Sequence, residues 1–187
     1  MSIRNPKSTA SIAGHPIHPM LIPFPIALFL AAFVCDLVFW GTRNASWGDA
    51  ALWLLGAGLI TAALAAIAGL TDFLGERQIR EMSTAWWHAG GNVVVVLVEL
   101  GNWYLRYAQG TGAILPTSVI LSAVAVALLV FTGWLGGHMV YRERVGVADQ
   151  AGANEPTWMH ERAQRGPAEP LRQPAPERER AETTRHT

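Results

Sequence analysis

The sequence predicts an all-α integral membrane four-helix bundle with a disordered C-terminal tail. Three observations carry that prediction. Hydrophobic residues make up 51% of the 187 residues and charged residues only 15%, against about 25% charged in a typical soluble protein. Four stretches of about 20 residues are almost wholly apolar, long enough to cross about 30 Å of hydrocarbon. The charges crowd the end of the chain: residues 1–147 hold eight of the 14 basic and seven of the 14 acidic side chains, and the last 40 residues hold the rest. Formal net charge is zero with no basic cluster, which excludes the counterion-release binding of nucleic acid. The single Cys35 excludes an internal disulfide and reads as a packed thiol.

The elements follow in order. Residues 1–19 form an N-terminal segment containing His15-Pro16-Ile17-His18-Pro19. Prolines 19, 23 and 25 make Gly14–Pro25 extended or irregular before a helix begins, because a ring without an N–H is tolerated before or in a first turn. The spans are about 20–40, 50–73, 85–104 and 115–139. The first is too long, and lacks the small-residue site, for a cleaved signal peptide. Trp40, Trp47, Trp53, Trp86, Trp87, Trp103, Tyr104, Tyr107, Trp134 and Tyr141 cluster at the span ends, as an interfacial aromatic belt does. In the second span Gly58, Ala62, Ala65, Ala66 and Gly69 are expected to let helices approach closely, as are Gly133 and Gly137 in the fourth. Residues 148–187 mix five prolines with Glu and Arg and hold few large apolar side chains, so they read as disordered.

With four spans, both termini share one side. That side carries Arg4, Lys7, Arg77, Arg80, Arg142 and Arg144, and the other carries Arg43 and Arg106. The bias places the termini in the cytoplasm.

Polar residues inside lipid are costly and usually face the bundle interior. On the third span, at about 100° per residue, His88, Asn92, Glu99 and Asn102 point to about 0°, 40°, 20° and −40°, one stripe. The alternating spans bring His15, His18, Asp72, His88 and His138 to one membrane face. Imidazoles on facing helices are a usual way to build a metal or haem site, and Asp72 is a candidate to orient one of them. Asp36 and Glu99 lie deeper or towards the opposite face. An intramembrane carboxyl is either a proton or ion site or a neutral acid bonded to a neighbouring helix.

The segment Gly14-His15-Pro16-Ile17-His18-Pro19-Met20, with Pro23-Phe24-Pro25 and Asp36, resembles the bacterial four-helix membrane-protein family DUF2231. Gly69-x-x-Asp72, His88-x-x-x-Asn92 and the closing Val140-Tyr141-x-x-x-Val145-Gly146-Val147 extend the resemblance over about residues 12–147. Arg144 departs from it, standing where the family usually has glycine. The family pattern fixes no residue at His138, so the transferable set is His15, His18, Asp72, His88 and Asn92. The resemblance implies a bacterial cytoplasmic membrane. Since some members are fused to Rieske or c-type cytochrome domains, it also implies membrane redox chemistry.

The expected function is therefore a redox-associated subunit holding haem b or a transition metal. His88 with His15 or His18 supplies the ligands, with His138 as a further metal candidate and Asp72 and Asn92 beside them. A redox or membrane-complex partner, or a second copy, would accompany it in the bilayer. Two alternatives stand beside this: a cofactor-free assembly subunit, and a small transporter or proton path through Asp36, Glu99 and Asn102. The sequence contains no Cys-x-x-Cys-His attachment motif, phosphate loop or His-Glu-x-x-His signature, so a non-enzymatic or electron-transfer role is expected.

Overall fold

A computed structural model describes residues 5–147. The expected tail, and Arg4, lie outside the described residues. A two-stranded antiparallel hairpin, β1 (Ser11–Ile12) and β2 (His15–Pro16), precedes six α-helices. These are α1 (Ile17–Leu21), α2 (Pro23–Thr42), α3 (Ala45–Gly75), α4 (Arg77–Glu81), α5 (Ser83–Gln109) and α6 (Val119–Tyr141). The four long helices pack in the cyclic order α2–α3–α5–α6, so α2 and α5 are diagonal partners.

Three helical stretches are long and apolar enough to cross a membrane: Ile17–Thr42, Ala45–Gly75 and Ser83–Tyr141. The last contains 59 residues, about 88 Å if it ran straight. It folds back instead. Gly110 leaves helical space (φ 60°, ψ −148°) and Leu115 is extended (φ −115°, ψ 130°). Bonds from His88 to Thr132 and from Asn102 to Ser122 then hold α5 and α6 antiparallel. The bundle thus has four long helices, as expected, with ends shifted by a few residues.

The helix starts follow from local chemistry. Asn44 caps α3 by accepting the Ser46 N–H at 3.0 Å. Arg43 adopts a left-handed conformation (φ 55°) to end α2. Helix begins earlier than the prolines suggest. Pro19 lies in the first turn of α1, and Pro23 and Pro25 in the first turn of α2, where backbone N–H groups have no intrahelical acceptor to lose.

The core is small and tight. Phe29, Ala32, Cys35, Leu55, Val95 and Ala125 are all buried. Gly58 is needed there, since a Cβ would lie 2.6 Å from the Phe29 ring. Three small residues behave otherwise than expected. Ala66 is exposed, and a Cβ on Gly133 or Gly137 would meet nothing within 4 Å. Ala68 and Gly136 turn inward in their place. Outside, Trp53, Ile60, Ile67, Leu97, Val130 and Trp134 are exposed, an apolar girdle suited to lipid.

Candidate functional site

Two polar clusters occupy the bundle interior, near opposite ends of α5. The stripe expected on that helix faces inward throughout. Glu99 and Asn102 are 0% exposed and His88 and Asn92 are half-buried, whereas Val93 and Val94 face out.

The first cluster joins His18 and His88. Their rings meet edge to face, with centres 6.1 Å apart and planes at 89°. Each Nδ1 lies against a backbone carbonyl of a neighbouring helix, His18 on Ala65 at 2.8 Å and His88 on Thr132 at 2.9 Å. A carbonyl only accepts, so both Nδ1 atoms carry the proton and a neutral ring presents Nε2 as a lone pair. Asn92 spans the site. Its Nδ2 donates to the His88 carbonyl at 2.7 Å and lies 3.4 Å from His88 Nε2, and its Oδ1 accepts from Thr132 at 3.3 Å. Glycines admit both rings: a Cβ on Gly69 would sit 2.8 Å from His18 Nδ1, and one on Gly136 3.1 Å from His88 Cε1.

The other residues expected at this face bond to other partners than the imidazole pair. Asp72 Oδ1 accepts from Ser8 Oγ (2.9 Å), Thr9 Oγ1 (3.4 Å) and the Ala10 N–H (2.7 Å). It therefore anchors the N-terminal segment, while backbone carbonyls orient the imidazoles. The strap continues into bonds from Gly146 N–H to the Pro6 carbonyl and from Asn5 to the Val147 carbonyl. His15 is exposed and its Nδ1 bonds the Ala13 carbonyl within its own turn. It borders an apolar surface hollow of about 380 Å³ with Ile12 and Met20. His138 is exposed near the end of α6. Among the described residues, no group of three His, Cys, Asp or Glu side chains is placed to hold a metal ion.

The second cluster is an ion pair inside a hydrogen-bond network. Arg106 Nη1 and Nη2 each reach a separate oxygen of Asp36 at 2.6 Å. Ser122 Oγ donates to Asp36 Oδ2 at 2.7 Å and accepts from Asn102 Nδ2 at 2.9 Å and Arg106 Nη2 at 3.3 Å. Arg106 Nε donates to Asn102 Oδ1 at 3.1 Å, and Asn102 Nδ2 also donates to Glu99 Oε2 at 2.9 Å. Glu99 Oε1 is buried with no hydrogen-bond partner. Arg106 also borders a cavity of about 20 Å³ beside Gly48, Asp49 and Thr111, room for one water.

Arg106 corrects an expectation. It is no loop charge on the far side, but is 3% exposed and paired within α5. The sequence held a signal for this: it stands 18 residues after His88, about five whole helical turns, and so continues the same stripe. Ser122 and Thr132 had no comparable signal on the nearly uniform apolar α6.

The model of a family described as predicted membrane proteins matches residues 14–149, a range that includes both clusters. No curated protein and no solved structure matches the chain.

Proposed function

We propose, for a chain that belongs to the DUF2231 family of predicted membrane proteins, a redox-associated role in which His18 and His88 share one haem b or transition-metal ion. The observation that carries this reading is the pair itself. Two imidazoles, each fixed through Nδ1 by a backbone carbonyl, stand with ring centres 6.1 Å apart. If the pair held one such group, His18 and His88 would each supply one imidazole nitrogen to it. Carbonyl bonds to the remote nitrogen are the usual way to fix a ligating tautomer. With two side chains to hold it, the bound group would have to bring ligands of its own, as haem does. A bound haem would supply one-electron chemistry; the chain's own residues would orient the imidazoles and exclude lipid and water.

A second reading rests on the same bonds. His18 ties α1 to α3, and His88 ties α5 to α6, so the pair also suits a helix lock in a cofactor-free assembly subunit. Full-length protein purified in detergent, then titrated with haem and separately with Cu²⁺ and Zn²⁺, decides between them. One bound equivalent that is lost in His18→Ala and His88→Ala but kept in His160→Ala supports the cofactor reading. Absence of both a Soret band and bound metal overturns it.

The membrane in question is proposed to be the bacterial cytoplasmic membrane, with both termini in the cytoplasm. Lys7, Arg77, Arg80, Arg142 and Arg144 lie at one end of the bundle, and with Arg106 internal, Arg43 is the basic residue described at the other.

A further inference from the structure

The second cluster supports an inference independent of the imidazole pair. The ion pair is saturated: Asp36 receives both guanidinium arms and the Ser122 hydroxyl. Its two charges cancel. Among the described residues, the charged groups acting on Glu99 are Arg106 of its own helix and Asp36 of α2, already paired with each other, and Ser122 of α6 joins through Asn102. α3 contributes Ala51, Leu55 and Ala62 to the neighbouring core, all apolar. Glu99 is 0% exposed. Asn102 donates to one oxygen only, leaving the other without a donor. An ionised carboxylate here would be an uncompensated charge in a low-dielectric interior, and buried groups in that position neutralise. A neutral acid needs no counter-charge.

We infer that Glu99 is a proton-binding site, holding one proton as the neutral acid while Asp36 and Arg106 are paired and giving it up when that pair is broken. The step balances simply. The Glu99 O–H bond breaks, the proton leaves to water, and the carboxylate replaces Asp36 as counter-charge to Arg106. Asn102 Oδ1 and Nδ2 already link Arg106 to Glu99, so the charges are coupled through one side chain. The site is therefore suited to loading and unloading one proton as helices α2 and α5 shift relative to each other.

Infrared spectroscopy of the full chain in lipid nanodiscs tests this. A protonated-carboxyl C=O stretch should be present at neutral pH, and Glu99→Gln should remove it. Carbon-13 labelling of glutamate should shift the band with no substitution at all, which keeps the test open if that variant fails to insert. Asp36→Asn should convert the band to carboxylate, because Arg106 then needs a new counter-charge. The neutral double variant Asp36→Asn with Arg106→Gln should retain it. A wild-type protein without the band, a band unmoved by glutamate labelling, or one unchanged in Asp36→Asn would overturn the proposal.

Discussion

Arg106 of α5 grips Asp36 of α2 through two parallel N–H···O bonds of 2.6 Å, across the diagonal of the four-helix ring. A bidentate fork fixes direction as well as distance. Because α2 and α5 are not principal packing neighbours, this contact specifies how the two halves of the bundle face each other.

Breaking one side of such a pair strands a buried charge. Arg106→Met or Asp36→Leu alone should cost about 3–5 kcal/mol, whereas the double apolar replacement should recover most of that loss. Thermal unfolding in a fixed detergent, run as a double-mutant cycle, reads the coupling. Strictly additive losses would show that the pair does not act as a unit.

Two buried serines on neighbouring turns should respond oppositely. Ser122 serves three partners, so Ser122→Ala should cost about 1–3 kcal/mol by leaving charged and amide groups short of a bond. The hydroxyl of Ser118 is equally buried but has no protein partner, so Ser118→Ala should be near neutral or stabilising. Equal losses at the two sites would contradict the network described.

One carboxylate holds the middle of the strap over the bundle end. Asp72→Ala removes the acceptor for Ser8 Oγ and the Ala10 N–H, while Thr9 keeps the Thr71 carbonyl. Residues 5–16 should then exchange amide hydrogens faster while α3, α5 and α6 keep their protection. Mass-spectrometric hydrogen exchange checks it; unchanged protection at Ala10 would disprove the anchor.

The polar stripe on α5 is legible in the sequence because a 3.6-residue period leaves His88, Asn92, Glu99 and Asn102 on one side of a Val- and Leu-rich helix. Arg106 obeys the same period, but its place among Tyr104 and Tyr107 makes it look like an interfacial charge. That His18 and His88 share one end of the bundle follows from antiparallel topology, but the choice of His18 over His15 as the partner of His88 does not, and neither does the role of Asp72. Its partners are two hydroxyls and an N–H from a non-periodic segment, and no repeat announces where such a segment lies. α6 is the hardest case. It is apolar nearly all round, so nothing in its pattern says that Gly136 rather than Gly133 or Gly137 turns inward.

Glycine placement gives a matched comparison. Gly58→Ala would drive a methyl against Phe29, and overpacking of this kind costs about 1–3 kcal/mol. Gly101→Ala and Gly133→Ala face open space and should be neutral or slightly stabilising, since alanine is the better helix former. Thermal stability of the three variants side by side tests the rotation of α3, α5 and α6 about their axes.

Gly69→Ala separates the imidazole pair without touching either imidazole. A Cβ added at Gly69 would sit 2.8 Å from His18 Nδ1 and 3.0 Å from Cε1. Nδ1 is also the atom held by the Ala65 carbonyl at 2.8 Å, one turn earlier on the same helix. The ring cannot move away from the methyl and keep that bond. It must therefore lose its tautomer-fixing contact, its approach to His88, or both. His88 keeps its own carbonyl, Thr132, and its own glycine, Gly136, so its environment should change only through the lost neighbour. Nitrogen-15 spectra of labelled imidazoles in the full chain should show the His18 tautomer equilibrium shifted and His88 nearly unmoved. Any haem or metal bound by the wild-type protein should weaken at least tenfold, because second-sphere losses at ligating histidines are typically about 10–100-fold. Unaltered His18 signals in Gly69→Ala would mean that the ring is not seated on this glycine.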